Sequence, residues 1–180
     1  MKPSPFNYYR ADSVSNALAL LEEHGDDAQI LAGGQSLMAM MNLRLLAPEA
    51  LIDINSIEEL SGISQEDGSI RIGALTRHAE VENSEIVAQH LPLLKMAIGH
   101  VGHAAIRNRG TLGGSISLAD PAAEMPACAV ALDAEFEVQG PGGIRRIAAD
   151  NFFHGLFETE RQADELLTAV HFPLPASESR

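Results

Sequence analysis

The chain has 180 residues, with 12 Lys and Arg against 25 Asp and Glu, giving a formal net charge of −13. Lys2 and Lys95 are its only lysines, so nucleic acid and anionic membrane surfaces, which reward clustered basic charge, are disfavoured as main partners. Cys128 stands alone, which excludes an intrachain disulfide and any four-thiolate zinc or iron–sulfur site made by this chain.

A helix is expected over residues 12–25. Asp12 or Ser13 can cap it, Val14, Ala17, Leu18 and Leu21 form one apolar stripe, and Gly25 suits a left-handed C-terminal cap. Residues 28–32 read as a short buried strand running into Gly33-Gly34-Gln35-Ser36. A short helix over 37–43 and a strand over 51–54 complete a compact αβαβ lobe, residues 1–55. A second lobe, residues 56–175, begins with a hairpin of 63–65 and 69–74 around Asp67-Gly68. Thr76 can cap a helix through His78–Val81, and a further helix covers 84–98 with Pro92 as a break or a new start. Residues 99–110 form a Gly- and His-rich connection. A second hairpin pairs 134–138 with 144–147, and 166–172 make a closing strand stopped by Pro173. Antiparallel strands with interleaved helices give the class α+β, and residues 176–180 read as a frayed tail. The N-terminus lacks a signal-peptide core, and no apolar run approaches the roughly 20 residues of a membrane span. A cytoplasmic protein is expected.

Two stretches carry chemistry: Ala32-Gly33-Gly34-Gln35-Ser36 and Thr111-Leu112-Gly113-Gly114-Ser115. Each pairs glycines with a small hydroxyl residue. Glycine lets a ligand approach the backbone closely, and successive N–H groups can form a concave nest for phosphate oxygens. Ser36 and Ser115 add hydroxyls, and a helix opening at Ser36 adds its dipole. A lone Gly-Gly is more often a tight turn or a close backbone crossing than a phosphate site. Two such stretches, one per lobe, suggest a diphosphate held at the seam. Neither is a Walker loop nor a Gly-x-Gly-x-x-Gly dinucleotide fingerprint.

These stretches, with Leu51-Ile52-Asp53-Ile54-Asn55, Ile106 to Gly110 and Ala119 to Ala127, resemble the FAD-binding medium subunit of the molybdenum hydroxylases. That family includes aerobic carbon monoxide dehydrogenase and xanthine dehydrogenase. The resemblance runs from Phe6 to about Pro173 and implies a two-lobed FAD-binding domain of the vanillyl-alcohol-oxidase-like (PCMH) type. It implies that Ala32, Gly33, Gly34, Gln35 and Ser36 bind the FAD pyrophosphate, with Gln29, Ile30 and Leu31 lining the approach. It sets Thr111, Leu112, Gly113, Gly114 and Ser115 against the diphosphate and ribityl region. It implies that Glu124, or else Asp120, accepts from a cofactor hydroxyl; Arg107 and Arg109, close in sequence to the second stretch, are candidates to assist it. It also implies two partners, a large subunit with the molybdenum cofactor and a small subunit with [2Fe–2S] clusters. A C-terminal α+β domain present in family members is not in this sequence.

Other residues have plainer readings. His100 and His103 suit loop packing, hydrogen bonding or contact with the flavin region better than a metal, and His78 suits a surface position at a helix start better than a cofactor role. Met38, Met40 and Met41 suit core filling, Cys128 a buried small hydrophobe, and Glu22-Glu23 and Asp26-Asp27 a solvated helix end. The expected function is electron transfer through FAD, with no catalytic side chain and no metal in this chain. The alternatives are a self-contained flavin oxidase of the same fold and a flavin-free assembly module.

Overall fold

The computed structural model describes residues 2–66 and 68–174. Asp67 of the anticipated Asp67-Gly68 turn and the tail at 176–180 lie outside the described residues. The first lobe opens with β1 (Asn7–Arg10), which its polar and aromatic sequence did not advertise. Then come α1 (Val14–His24), β2 (Ala28–Leu31), α2 (Leu37–Asn42) and β3 (Ala50–Asp53). The three strands pair in parallel in the order β1-β3-β2. Ser13 caps α1 by accepting from the Asn16 N–H at 3.2 Å. The apolar stripe of α1 faces inward through Val14, Ala17 and Leu21.

The second lobe carries β4 (Ile63–Glu66), β5 (Ser69–Gly73), α3 (His78–Asn83), α4 (Glu85–His90), α5 (Pro92–Ile98) and α6 (Ala104–Arg107). It continues with α7 (Leu112–Leu118), α8 (Glu124–Ala131), β6 (Glu135–Gly140), β7 (Gly143–Ala148), the small hairpin β8 (Phe153–Gly155) and β9 (Glu158–Thr159), and β10 (Leu166–Pro173). Five strands form an antiparallel sheet in the order β4-β5-β10-β6-β7, so the last strand in sequence is the central one. Pro92 starts α5, where its missing N–H costs nothing.

Two apolar cores result. One gathers Val14, Ala17, Leu21, Ile52, Ile54, Ile57, Leu60, Leu75 and Leu166. The other gathers Ile72, Leu94, Ile98, Ile116, Phe136, Phe152, Leu167, Val170 and Phe172. Neighbouring residues of β10, Leu166 and Leu167, thus enter different cores, because successive side chains of a strand point to opposite faces.

Two expectations are corrected. Thr76 caps no helix: the capping position of α3 is Arg77, and the Thr76 hydroxyl accepts from the Gly62 N–H and donates to the Gly62 carbonyl, both at 3.0 Å. His78 is not a surface residue, being 5% exposed.

Candidate functional site

Between the lobes lies a cavity of about 440 Å³, within the range of about 300–1,000 Å³ usual for small-molecule sites. Both glycine stretches line it. Of the residues singled out from the sequence, Gln29, Ile30, Ala32, Gly33, Gly34, Gln35, Ser36, Thr111, Gly113, Gly114, Ser115 and Glu124 are on its wall, as is Asp120. Leu31 and Leu112 are not; Leu112 is fully buried in the second core.

The two stretches differ in chemistry. In the first, the N–H groups of Gly33, Gly34, Gln35, Ser36 and Leu37 donate to no protein acceptor among the described residues. Gly34 has φ +72, a left-handed value that glycine adopts without strain. Five successive main-chain donors therefore stand unengaged in a turn on the cavity wall. The second stretch is no loop: Thr111 caps α7, accepting from the Gly114 N–H at 3.1 Å. The Leu112 N–H donates to the Thr76 carbonyl and the Gly113 N–H to the Ala74 carbonyl. A second main-chain nest is thereby ruled out, and what remains for a ligand is Ser115 and the bare face of Gly114.

The glycines also let the chain cross itself. A Cβ on Gly33 would stand 2.4 Å from the Arg109 carbonyl oxygen and 2.8 Å from the Gly110 Cα. One on Gly113 would stand 2.5 Å from the Ala74 Cβ. So the first stretch rests by its backbone directly on the approach to the second. A polar clamp reinforces this contact. Arg77 donates to the Arg109 carbonyl and, at 2.6 Å, to the Asn55 side-chain oxygen. Asn55 in turn donates to the Ala32 carbonyl at 2.9 Å and to the Asp53 carboxylate at 2.6 Å. Burial alone would raise the Asp53 carboxyl, but hydrogen bonds from Tyr8 and Asn55 hold it below the usual carboxylate value.

Sequence reasoning missed several of these residues. His78 lines the cavity, and neither ring nitrogen has a hydrogen-bond partner among the described residues. Burial lowers its pKa, partly opposed by the Thr111 backbone and Glu124. Arg107, expected beside the cofactor, instead pairs with Glu82 at 2.8 Å, and neither it nor Arg109 lines the cavity. Among the described residues the one Lys or Arg on the wall is Arg161. His100 and His103 are exposed, and no cluster of three or more His, Cys, Asp or Glu among the described residues is arranged to hold a metal. Cys128 is buried. No helix among the described residues is long and apolar enough to cross a membrane.

Residues 4–175 match the model of the FAD binding domain in molybdopterin dehydrogenase. The chain belongs to that family. The 6-hydroxypseudooxynicotine dehydrogenase complex subunit alpha of Paenarthrobacter nicotinovorans is 45% identical over 96% of this chain and 58% of its own length. The carbon monoxide dehydrogenase of Hydrogenophaga pseudoflava that lacks the Mo-pyranopterin moiety superposes with a TM-score of 0.96 at 43% identity, over 98% of this chain and 62% of that one. Quinoline 2-oxidoreductase from Pseudomonas putida 86 gives 0.94 at 38% identity, over 98% and 61%. The chain thus spans about three-fifths of the relatives' length. The cofactor of the family is FAD, and the donors on this wall suit it: five neutral main-chain N–H groups for an anionic diphosphate.

Proposed function

We propose that this chain is the FAD-binding, electron-transfer part of a molybdenum-containing hydroxylase or dehydrogenase. Electrons would reach it from the [2Fe–2S] clusters of a small subunit, after leaving substrate at the molybdenum cofactor of a large one, and pass on to an external acceptor. The observation that carries this reading is the unengaged row of donors from Gly33 to Leu37 on the wall of a cavity shared by both lobes. FAD supplies the redox chemistry once bound. The chain's own tasks are binding and shielding. The Gly33–Leu37 N–H groups take the diphosphate oxygens, and Ser36 and Ser115 add hydroxyl donors. Glu124, on the first turn of α8, accepts from a cofactor hydroxyl. Ile30, Leu75 and Leu166 give the cavity apolar walls that exclude water. The lone Cys128 fits an iron–sulfur relay supplied by another chain.

The test is the visible spectrum of the purified chain after incubation with FAD and gel filtration. A flavin band at one equivalent is expected. Gly34→Asp, which puts a carboxylate among the donors, should abolish it. An unchanged FAD affinity in that variant, or no uptake by the unaltered chain, would overturn the reading.

A further inference from the structure

We propose that Arg161 is the cationic contact for the negative charge of FAD in this cavity, an assignment that rests on the FAD reading above. The wall carries the carboxylates Asp26, Asp120, Glu124 and Glu165, but among the described residues Arg161 is its only Lys or Arg. His78 does not help, since burial favours its neutral ring. In a chain of net charge −13, a dianionic diphosphate would otherwise enter a cavity of unfavourable sign.

The surroundings of Arg161 fit this task. Its Nη1 donates to the carbonyls of Gln162 at 2.8 Å and Glu165 at 2.6 Å. Both acceptors are neutral, so the guanidinium is held in place without being neutralised. No carboxylate oxygen lies within 4.0 Å of it among the described residues. The nearby Glu165 carboxylate is already committed elsewhere. It takes a two-pronged pair from Arg145 at 2.7 and 2.9 Å, and the Gln162 N–H at 2.8 Å. Arg145 also donates to the Glu160 carbonyl, which pins the turn that bears Arg161. The result is a half-buried, pre-positioned cation on the cavity wall, whose Nε and Nη2 donate to no acceptor among the described residues. A preorganised guanidinium of this kind matches phosphate oxygens or any other planar anion by its fork of donors.

FAD carries negative charge on its diphosphate in both redox states and gains more on the ring when reduced. The experiment separates these two sources. FAD, ADP and riboflavin are titrated into the unaltered chain, Arg161→Gln and Arg161→Lys at several salt concentrations. The midpoint potential of bound FAD is measured in each. If Arg161 meets the diphosphate, Arg161→Gln weakens FAD and ADP by about tenfold to a hundredfold, flattens the salt dependence and leaves riboflavin unchanged. If it meets the reduced ring, oxidised FAD binds as before, reduced FAD binds about tenfold or more weakly, and the potential falls. In either case Arg161→Lys recovers part of the effect, which a purely structural role would not predict. Binding of oxidised and reduced FAD to Arg161→Gln within about twofold of the unaltered chain would overturn the assignment. Failure of the unaltered chain to bind FAD would instead overturn the reading on which it rests.

Discussion

Replacing Gly33 by alanine probes the contact between the two glycine stretches. The new Cβ would meet the Arg109 carbonyl oxygen at 2.4 Å, the Gly110 Cα at 2.8 Å and the Arg109 carbonyl carbon at 3.0 Å. All three are backbone atoms, so no side chain can rotate away. Ordinary contact begins near about 3.4 Å, so the two segments must part by about 1 Å. That movement strains the Arg77 donation to the Arg109 carbonyl and the His78 N–H bond to the Gly110 carbonyl, now 2.9 Å. Overpacking costs about 1–3 kcal/mol, and stiff main chain on both sides puts this case near the top of the range. For a chain of this size, about 3 kcal/mol is about 6–12 °C in Tm. FAD affinity should fall with it, because Gly33 carries the first N–H of the row. Thermal unfolding with and without FAD reads both effects. Gly142→Ala is the control, because its Cβ would have no neighbour within 4 Å. If Gly33→Ala melted within about 1 °C of the unaltered chain and bound FAD equally well, the close-crossing account would fail.

Other perturbations have distinct outcomes. Asn55→Ala removes the link between Arg77 and the Ala32 carbonyl and should cost about 1–3 kcal/mol in urea denaturation, with weaker FAD binding; an unchanged midpoint would show the clamp to be idle. Thr111→Val deletes the cap of α7 and should cost about 1 kcal/mol, read as a Tm lower by about 2–4 °C. His78, with a pKa below the ordinary 6.5, favours the native state fully above pH 6.5 and loses that contribution as pH falls, because the unfolded chain takes up the proton first. The stability of His78→Gln should therefore fall less steeply below pH 6.5, whereas losses from Asp53 and Glu165, whose carboxyls are held low, come only at more acid pH. Cys128, buried and with its thiol pKa raised by burial and Glu124, should react with iodoacetamide far more slowly in the native chain than in urea. Equal rates would contradict its burial.

Much of the fold was readable where local periodicity and chain punctuation agree. The α1 stripe ends at Gly25, Pro92 starts α5, and the two long hairpins flank glycine turns. β1 escaped because Asn7-Tyr8-Tyr9-Arg10 is a largely exposed edge strand with no apolar alternation. α8 escaped because Glu124–Ala131 is apolar nearly all round and holds Pro126, which the first turn tolerates. In the site, the glycine stretches were legible as a pair, but not their division of labour. Gly113-Gly114 looks like a loop in sequence, and only the Thr111 cap and the carbonyls of Ala74 and Thr76 make it helix and occupy its donors. Arg161 and His78 were illegible because they reach the cavity from segments about 50 and 33 residues away from Thr111 in the chain, a proximity no local pattern encodes.

The position of β10 bears on how the molecule assembles. This strand is the central one of the five-stranded sheet, and its Leu166 and Leu167 complete two different cores. Until residues 166–173 leave the ribosome, β5 and β6 lack the strand that lies between them, and both stand as open edges liable to pair wrongly. The five-stranded sheet therefore cannot close until this strand is made, and the other core gains Leu166 only then. Ordering of the cavity is then a late event, and FAD can be captured only by a chain in which both lobes have already formed.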